Sequence, residues 1–157
     1  MRNMKYLLDN RIIYRQDWTT DKPDEVYDWG YVFNEGTYQC YHLFNSKALI
    51  TTYKSLKWHL LTLWYLNPQL DQQKFNNLVD YIVDKRNKFV TFTIPPLTLE
   101  NLIYDVSMMD LDRPPPNKLR KIIFRDYCGL TLSEKLSIVG QIVGKKKISE
   151  VEIYDAM

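Results

Sequence analysis

The hydrophobic period changes once along this chain, near residue 45, and that change limits the fold more than any other feature. Before it, Tyr27, Trp29, Tyr31 and Phe33 alternate with Val26, Asp28, Gly30 and Val32, the period-two pattern of a half-buried strand. After it, apolar residues recur at helical spacing. Strands followed by helices predict an α+β fold: an N-terminal antiparallel β-hairpin element, then a bundle of about six helices.

The β-rich part is expected over residues 1–45. Asn34, Glu35 and Gly36 suit a three-residue hairpin loop with the glycine at positive φ. Residues 37–44 read as the returning strand, with Tyr38, Cys40, His42 and Phe44 on one face. Residues 12–15 form a weaker strand candidate, and 19–24 a polar loop.

The helical core is expected over residues 46–112. Leu49, Ile50, Tyr53, Leu56, Leu60, Leu61 and Trp64 predict a first helix, capped by Asn45 or Ser46 and stopped by Pro68. Phe75, Leu78, Val79, Ile82 and Val83 follow the i, i+3, i+4, i+7, i+8 spacing of an amphipathic helix over 71–87, with Asp71 as its cap. Residues 89–94 form a short β-type run that Pro95 and Pro96 stop, and a third helix over 98–110 takes Thr98 as cap.

Pro114, Pro115 and Pro116 make 113–116 the one stiff linker. Three short helices are expected beyond it, in a basic subdomain over 117–157. The first spans 117–127, with Gly129 at its C′ position. The second runs from a Thr131–Glu134 capping box to about residue 143. The third covers 149–157, with a Ser149–Glu152 capping box and an Ile148–Ile153 staple. Helix, glycine turn and helix together resemble the helix-turn-helix DNA-binding unit in outline. The whole is expected to be a single domain, which 157 residues suit.

Charge gives the functional expectation. The net charge is only +2, but residues 113–148 carry nine basic residues against two acidic, a net of +7. Residues 17–35 carry six acids against Lys22 alone, a net of −5. Such asymmetry speaks of partners rather than of fold. On a helix over 117–127, Lys118, Lys121 and Arg125 share a face. With Lys145, Lys146 and Lys147 in the glycine turn, they form the expected nucleic-acid-binding set, touching phosphates rather than bases. Base reading by 149–157 is disfavoured, because Glu150, Glu152 and Asp155 repel a polyanion.

Enzyme chemistry finds little to build on. His42 and His59 are the only histidines, and no C-x-x-C occurs. Residues 140–146 have P-loop-like glycines spaced one residue short, with Lys146 where Ser or Thr would hold magnesium. Asp105, Asp110 and Asp112 read as solvated acids, and Cys128 as a structural thiol. No catalytic residue, metal or cofactor is expected.

The function expected is therefore a non-enzymatic, nucleic-acid-associated accessory or regulatory protein. Many Asn, Lys, Ile and Tyr residues fit an AT-rich genome, such as a phage's. The alternative is a protein–protein interaction or assembly component, a virion connector-type subunit or an inhibitor of a host complex, that meets an acidic protein surface. Self-association through the acidic 17–28 loop and the lysine turn is a further option. Two distant cysteines and the lack of a long apolar segment predict a cytoplasmic protein, in the host or the virion, without a membrane partner.

Overall fold

In the computed structural model, residues 2–109, 114–126, 128–143 and 151–155 are described. The protein is α+β. Its contacts divide the chain into two compact units along lines other than the consecutive parts expected. The first comprises Met1–Arg15 and Leu43–Pro115, the second Gln16–His42 and Pro116–Met157.

The first unit is helical. A short helix α1, Lys5–Asp9, occupies a stretch expected to hold only strands and turns. It buries Leu7, and Tyr6 stacks on Tyr81 at 4.9 Å between ring centroids. Helix α2, Tyr53–Leu66, begins six residues later than a cap at Ser46 would require. The cause lies outside the segment: Ile50 is drawn into a parallel bridge with Val90, its amide donating to the Phe89 carbonyl at 2.8 Å. The Arg2 guanidinium gathers the carbonyls of Phe44, Ser46 and Ala48, which holds 44–48 out of helical geometry. Thr52 is the cap, accepting from the Ser55 amide at 3.1 Å.

Helix α3, Gln72–Val83, is where the spacing places it. Asp71 accepts from the Lys74 amide at 2.8 Å, and Phe75, Leu78, Val79 and Ile82 are buried. It stops four residues before 87, because Asp84 starts a 3-10 turn over Lys85–Asn87 and Lys88 turns left-handed at φ 64°. The β-type run reduces to the single Val90 bridge. Helix α4, Pro96–Ser107, starts with proline in its first turn rather than with a Thr98 cap. Leu102 and Val106 join Leu56, Leu60, Phe75 and Val79 in one core.

The second unit contains a mixed four-stranded sheet with one helix packed on it. Strand β2, Glu25–Tyr27, and β3, Gly30–Phe33, form a tight hairpin, so the single strand expected here is two. Strand β1, Arg15–Gln16, pairs separately with β4, Tyr41–His42. Residues 37–44 do not return along β3. Its other neighbour is β5, Arg120–Phe124, antiparallel, with Tyr31 opposite Ile123 and Phe33 opposite Lys121. Beyond β5, and parallel to it, lies β6, Val151–Asp155. The connection between β5 and β6 contains α5, Leu132–Val143.

Two expected helices are therefore strands, which removes both the six-helix bundle and the helix-turn-helix outline. Residues 120–124 form β5 because Ile122, Ile123 and Phe124 are buried on alternating sheet faces, as suits a central strand. Residues 151–155 form β6 because pairing along all five residues of β5 outweighs a local capping box. Two glycines permit the close approaches. A Cβ on Gly30 would lie 2.1 Å from the Ile123 carbonyl oxygen. Gly36 does take positive φ, 85°, but there it admits the Asn117 backbone, which exchanges two 2.9 Å hydrogen bonds with Thr37. Among the described residues no helix is long and apolar enough to cross a membrane.

Candidate functional site

Lys118, Lys121 and Arg125 do not share a helical face, because residues 120–124 form a strand. Lys118 is exposed in the coil before β5, and Arg125 is exposed just after it, its guanidinium 5.0 Å from the centroid of the Tyr31 ring. Lys121, midway between them, is fully buried. Strand alternation sends it to the sheet face of Phe33 and Ile123, under the segment carrying Cys40. Its ammonium donates to the Cys40 carbonyl, which also accepts from the Thr37 hydroxyl and the Asn117 amide, each at 3.3 Å. Lys121 thus holds residues 37–40 against the sheet and has no surface for a phosphate. Lys145, Lys146 and Lys147 lie outside the described residues.

This separates the buried Lys121 from the exposed Lys118 and Arg125 in a testable way. Lys121→Met keeps the buried stem and removes the charge. It is expected to leave elution from heparin unchanged, whereas replacing Lys118 and Arg125 together by Ala lowers the eluting salt. Equal loss from Lys121→Met in a folded protein would contradict the burial.

The opposite face of the sheet builds a groove. Val32, Ile122 and Phe124 point to that face and receive Val139 of α5, with Ile138 and Ile142 beside it. The helix is anchored by the capping box read in the sequence: the Glu134 amide donates to the Thr131 hydroxyl at 3.2 Å, and the Thr131 amide to the Glu134 carboxylate at 3.3 Å. Trp29 in the hairpin turn lies against Phe124 at 5.2 Å and stacks on Tyr27 at 4.8 Å, nearly parallel.

Between this aromatic pair and the last turns of α5 runs a groove of about 440 Å³, lined by Glu25, Tyr27, Trp29, Ile138, Gln141 and Ile142. The Tyr27 hydroxyl donates to the Glu25 carboxylate at 3.1 Å. That hydrogen bond holds the phenol above its ordinary pKa range, so it stays a donor. Strand β2 is terminal in the sheet order, and all three of its residues are exposed. Its outer edge offers backbone donors and acceptors beside this groove. The alternating aromatics were legible in the sequence, but their juxtaposition with 138–142 was not.

A second cluster escaped the sequence reading. The His42 ring is 2.7 Å from the Asp17 carboxylate, both nearly buried. The Cys40 thiol lies 3.5 Å from the Asp17 carbonyl oxygen. Cysteine, histidine and aspartate together suggest covalent catalysis by type, but Cys40 has no exposed surface for a substrate to reach. The cluster therefore ties the 17–42 segment together. Cys128 packs against the Val32–Phe124 core, and neither cysteine forms a disulfide. Among the described residues no group of three His, Cys, Asp or Glu side chains is placed to hold a metal ion. Asp110 and Asp112 lie outside those residues, as do the last residues of the P-loop-like stretch.

In the first unit, Leu97 and Tyr104 stand exposed along one side of α4, with Met108 exposed just past its end. Searches of family models, of curated proteins and of solved structures return no match to this chain.

Proposed function

We propose that this chain is a non-enzymatic protein-binding component that captures an extended segment of its partner as an added strand beside β2. The observation that carries this reading is the edge of β2, terminal in the sheet order among the described residues, beside a groove in which Trp29, Ile138 and Ile142 meet the polar side chains of Glu25, Tyr27 and Gln141. Strand addition draws affinity from main-chain hydrogen bonds and specificity from pockets that take alternate side chains. The groove supplies such pockets on Trp29, Ile138 and Ile142, and Val26, 61% exposed, supplies an apolar neighbour on the other face. A three-residue edge is short, so affinity for a lone segment is expected to be modest.

Amide chemical shifts of the labelled chain, titrated with short extended peptides, test this. Binding peptides should shift residues 25–29 and 138–142, and Trp29→Ala should weaken binding by about tenfold, the effect of losing one buried aromatic anchor. Shifts confined to other surfaces would refute it.

Nucleic-acid association is the second reading, favoured by the exposure of Lys118 and Arg125 at the two ends of β5. Changing Lys145, Lys146 and Lys147 together to Ala should then flatten the salt dependence of binding by up to about three phosphate contacts. Lack of retention on heparin or DNA at low salt would remove this reading.

A further inference from the structure

Resting on strand addition at β2, we infer that the captured segment alternates cationic residues, seated in the groove, with β-branched apolar residues that face Val26. The alternation follows from geometry. Side chains of an added strand point in turn to the two faces of the sheet. Those on the face of α5 enter beside Glu25 and Tyr27; those on the other face meet Val26.

The groove selects the residues that enter it. Its lining mixes the apolar surfaces of Trp29, Ile138 and Ile142 with the polar groups of Glu25, Tyr27 and Gln141. A lysine or arginine satisfies both, laying its methylene stem along Trp29 and the isoleucines and carrying its charge to the Glu25 carboxylate. The groove also lies at the C-terminal end of α5, where the helix dipole favours cations. Asp24 and Asp28 flank β2, both exposed. The nearest cation of α5, Lys135, lies a turn before Ile138 and rests 5.3 Å from the centroid of the Phe124 ring. An acidic side chain entering the groove would meet the Glu25 carboxylate, a like charge. On the other face, Val26 favours a valine or isoleucine neighbour, the kind of cross-strand pair that stabilises sheets.

Three short peptides probe this in the full chain, with amide shifts at 25–29 and 138–142 as the readout: alternating Lys–Val, alternating Gln–Val and alternating Glu–Val. The Lys–Val peptide should bind about tenfold tighter than Gln–Val at low salt, the advantage should shrink as salt rises, and Glu–Val should not bind. Glu25→Gln, which keeps an acceptor for Tyr27, should cut the Lys–Val preference roughly fivefold. Glu25 is exposed, so the variant should fold; its spectrum checks that. Equal binding of Lys–Val and Gln–Val overturns the charge inference and leaves strand addition standing. Binding by none of the three, including Gln–Val, overturns strand addition and this inference with it. A concentration-dependent dimer that shifts the same amides without peptide makes a second copy the occupant and overturns the inference of a separate partner.

Discussion

A Val79→Asp variant is expected to lose the fold of the first unit. Val79 sits at the centre of the buried face of α3, fully buried, in one cluster with Leu56, Leu60 and Phe75. The aspartate forfeits the valine's burial, worth about 2 kcal/mol, and places a carboxylate inside this hydrophobic cluster. An unpaired buried charge costs several kcal/mol more, or forces the group to take a proton. The sum, roughly 5 kcal/mol or more, approaches the whole stability of a small domain. Val79→Ala, which only opens a small cavity, is expected to cost about 2 kcal/mol and stay folded. Thermal unfolding followed by circular dichroism measures both. An unchanged melting temperature for Val79→Asp would mean that this face of α3 is not in the core.

The second large effect is expected from one methyl group. Gly30→Ala places a Cβ 2.1 Å from the Ile123 carbonyl oxygen and 2.9 Å from the Phe124 Cα. Both neighbours are backbone, so relief means parting β3 from β5 rather than turning a side chain. The amide of Arg125, which donates to the Trp29 carbonyl at 2.7 Å, reports on that ladder. Its hydrogen exchange should accelerate at least about a hundredfold, the equivalent of roughly 3 kcal/mol of lost local stability. Gly140→Ala is the control. That glycine lies within α5 with nothing within 4 Å of a Cβ, and the change should stabilise by up to about 1 kcal/mol. Slow exchange at Arg125 in Gly30→Ala would show that the strands do not approach as closely as the structure has them.

The contrast between α3 and β5 explains what the sequence could tell. Helix α3 is local: its cap Asp71, its apolar spacing and its ending all lie within a few turns of one another. The same holds for α5 and its Thr131–Glu134 box. Strand β5 is defined instead by β3, some ninety residues earlier, and by β6. Leu119, Ile122 and Ile123 also satisfy a helical spacing, and period alone could not decide. The run Ile122–Ile123–Phe124, bounded by prolines and a glycine, was the available sign of a strand buried on both faces. The burial of Lys121 had no local sign at all, since lysine is normally solvated. Gly36 was read correctly as a positive-φ residue and wrongly as a hairpin, because what it admits, Asn117, is distant in sequence.

The order in which the chain is made bears unequally on its two units. Once Pro115 has been added, every residue of the first unit exists, and its core can close while synthesis continues. Closure joins Tyr14 to Leu43 through a 3.0 Å backbone hydrogen bond, which brings together the two ends of the segment that holds β2 and β3. That hairpin has by then waited through residues 43–115 with one long edge of β3 bare, because β5 does not yet exist. A nascent strand in that condition pairs with whatever extended chain it meets. Early folding of the first unit replaces a long floppy tether between hairpin and β5 with a pre-closed one, which lowers the entropy of the search. Variants that slow the first unit, such as Val79→Ala, should therefore raise the aggregated fraction during expression even where the finished protein is stable.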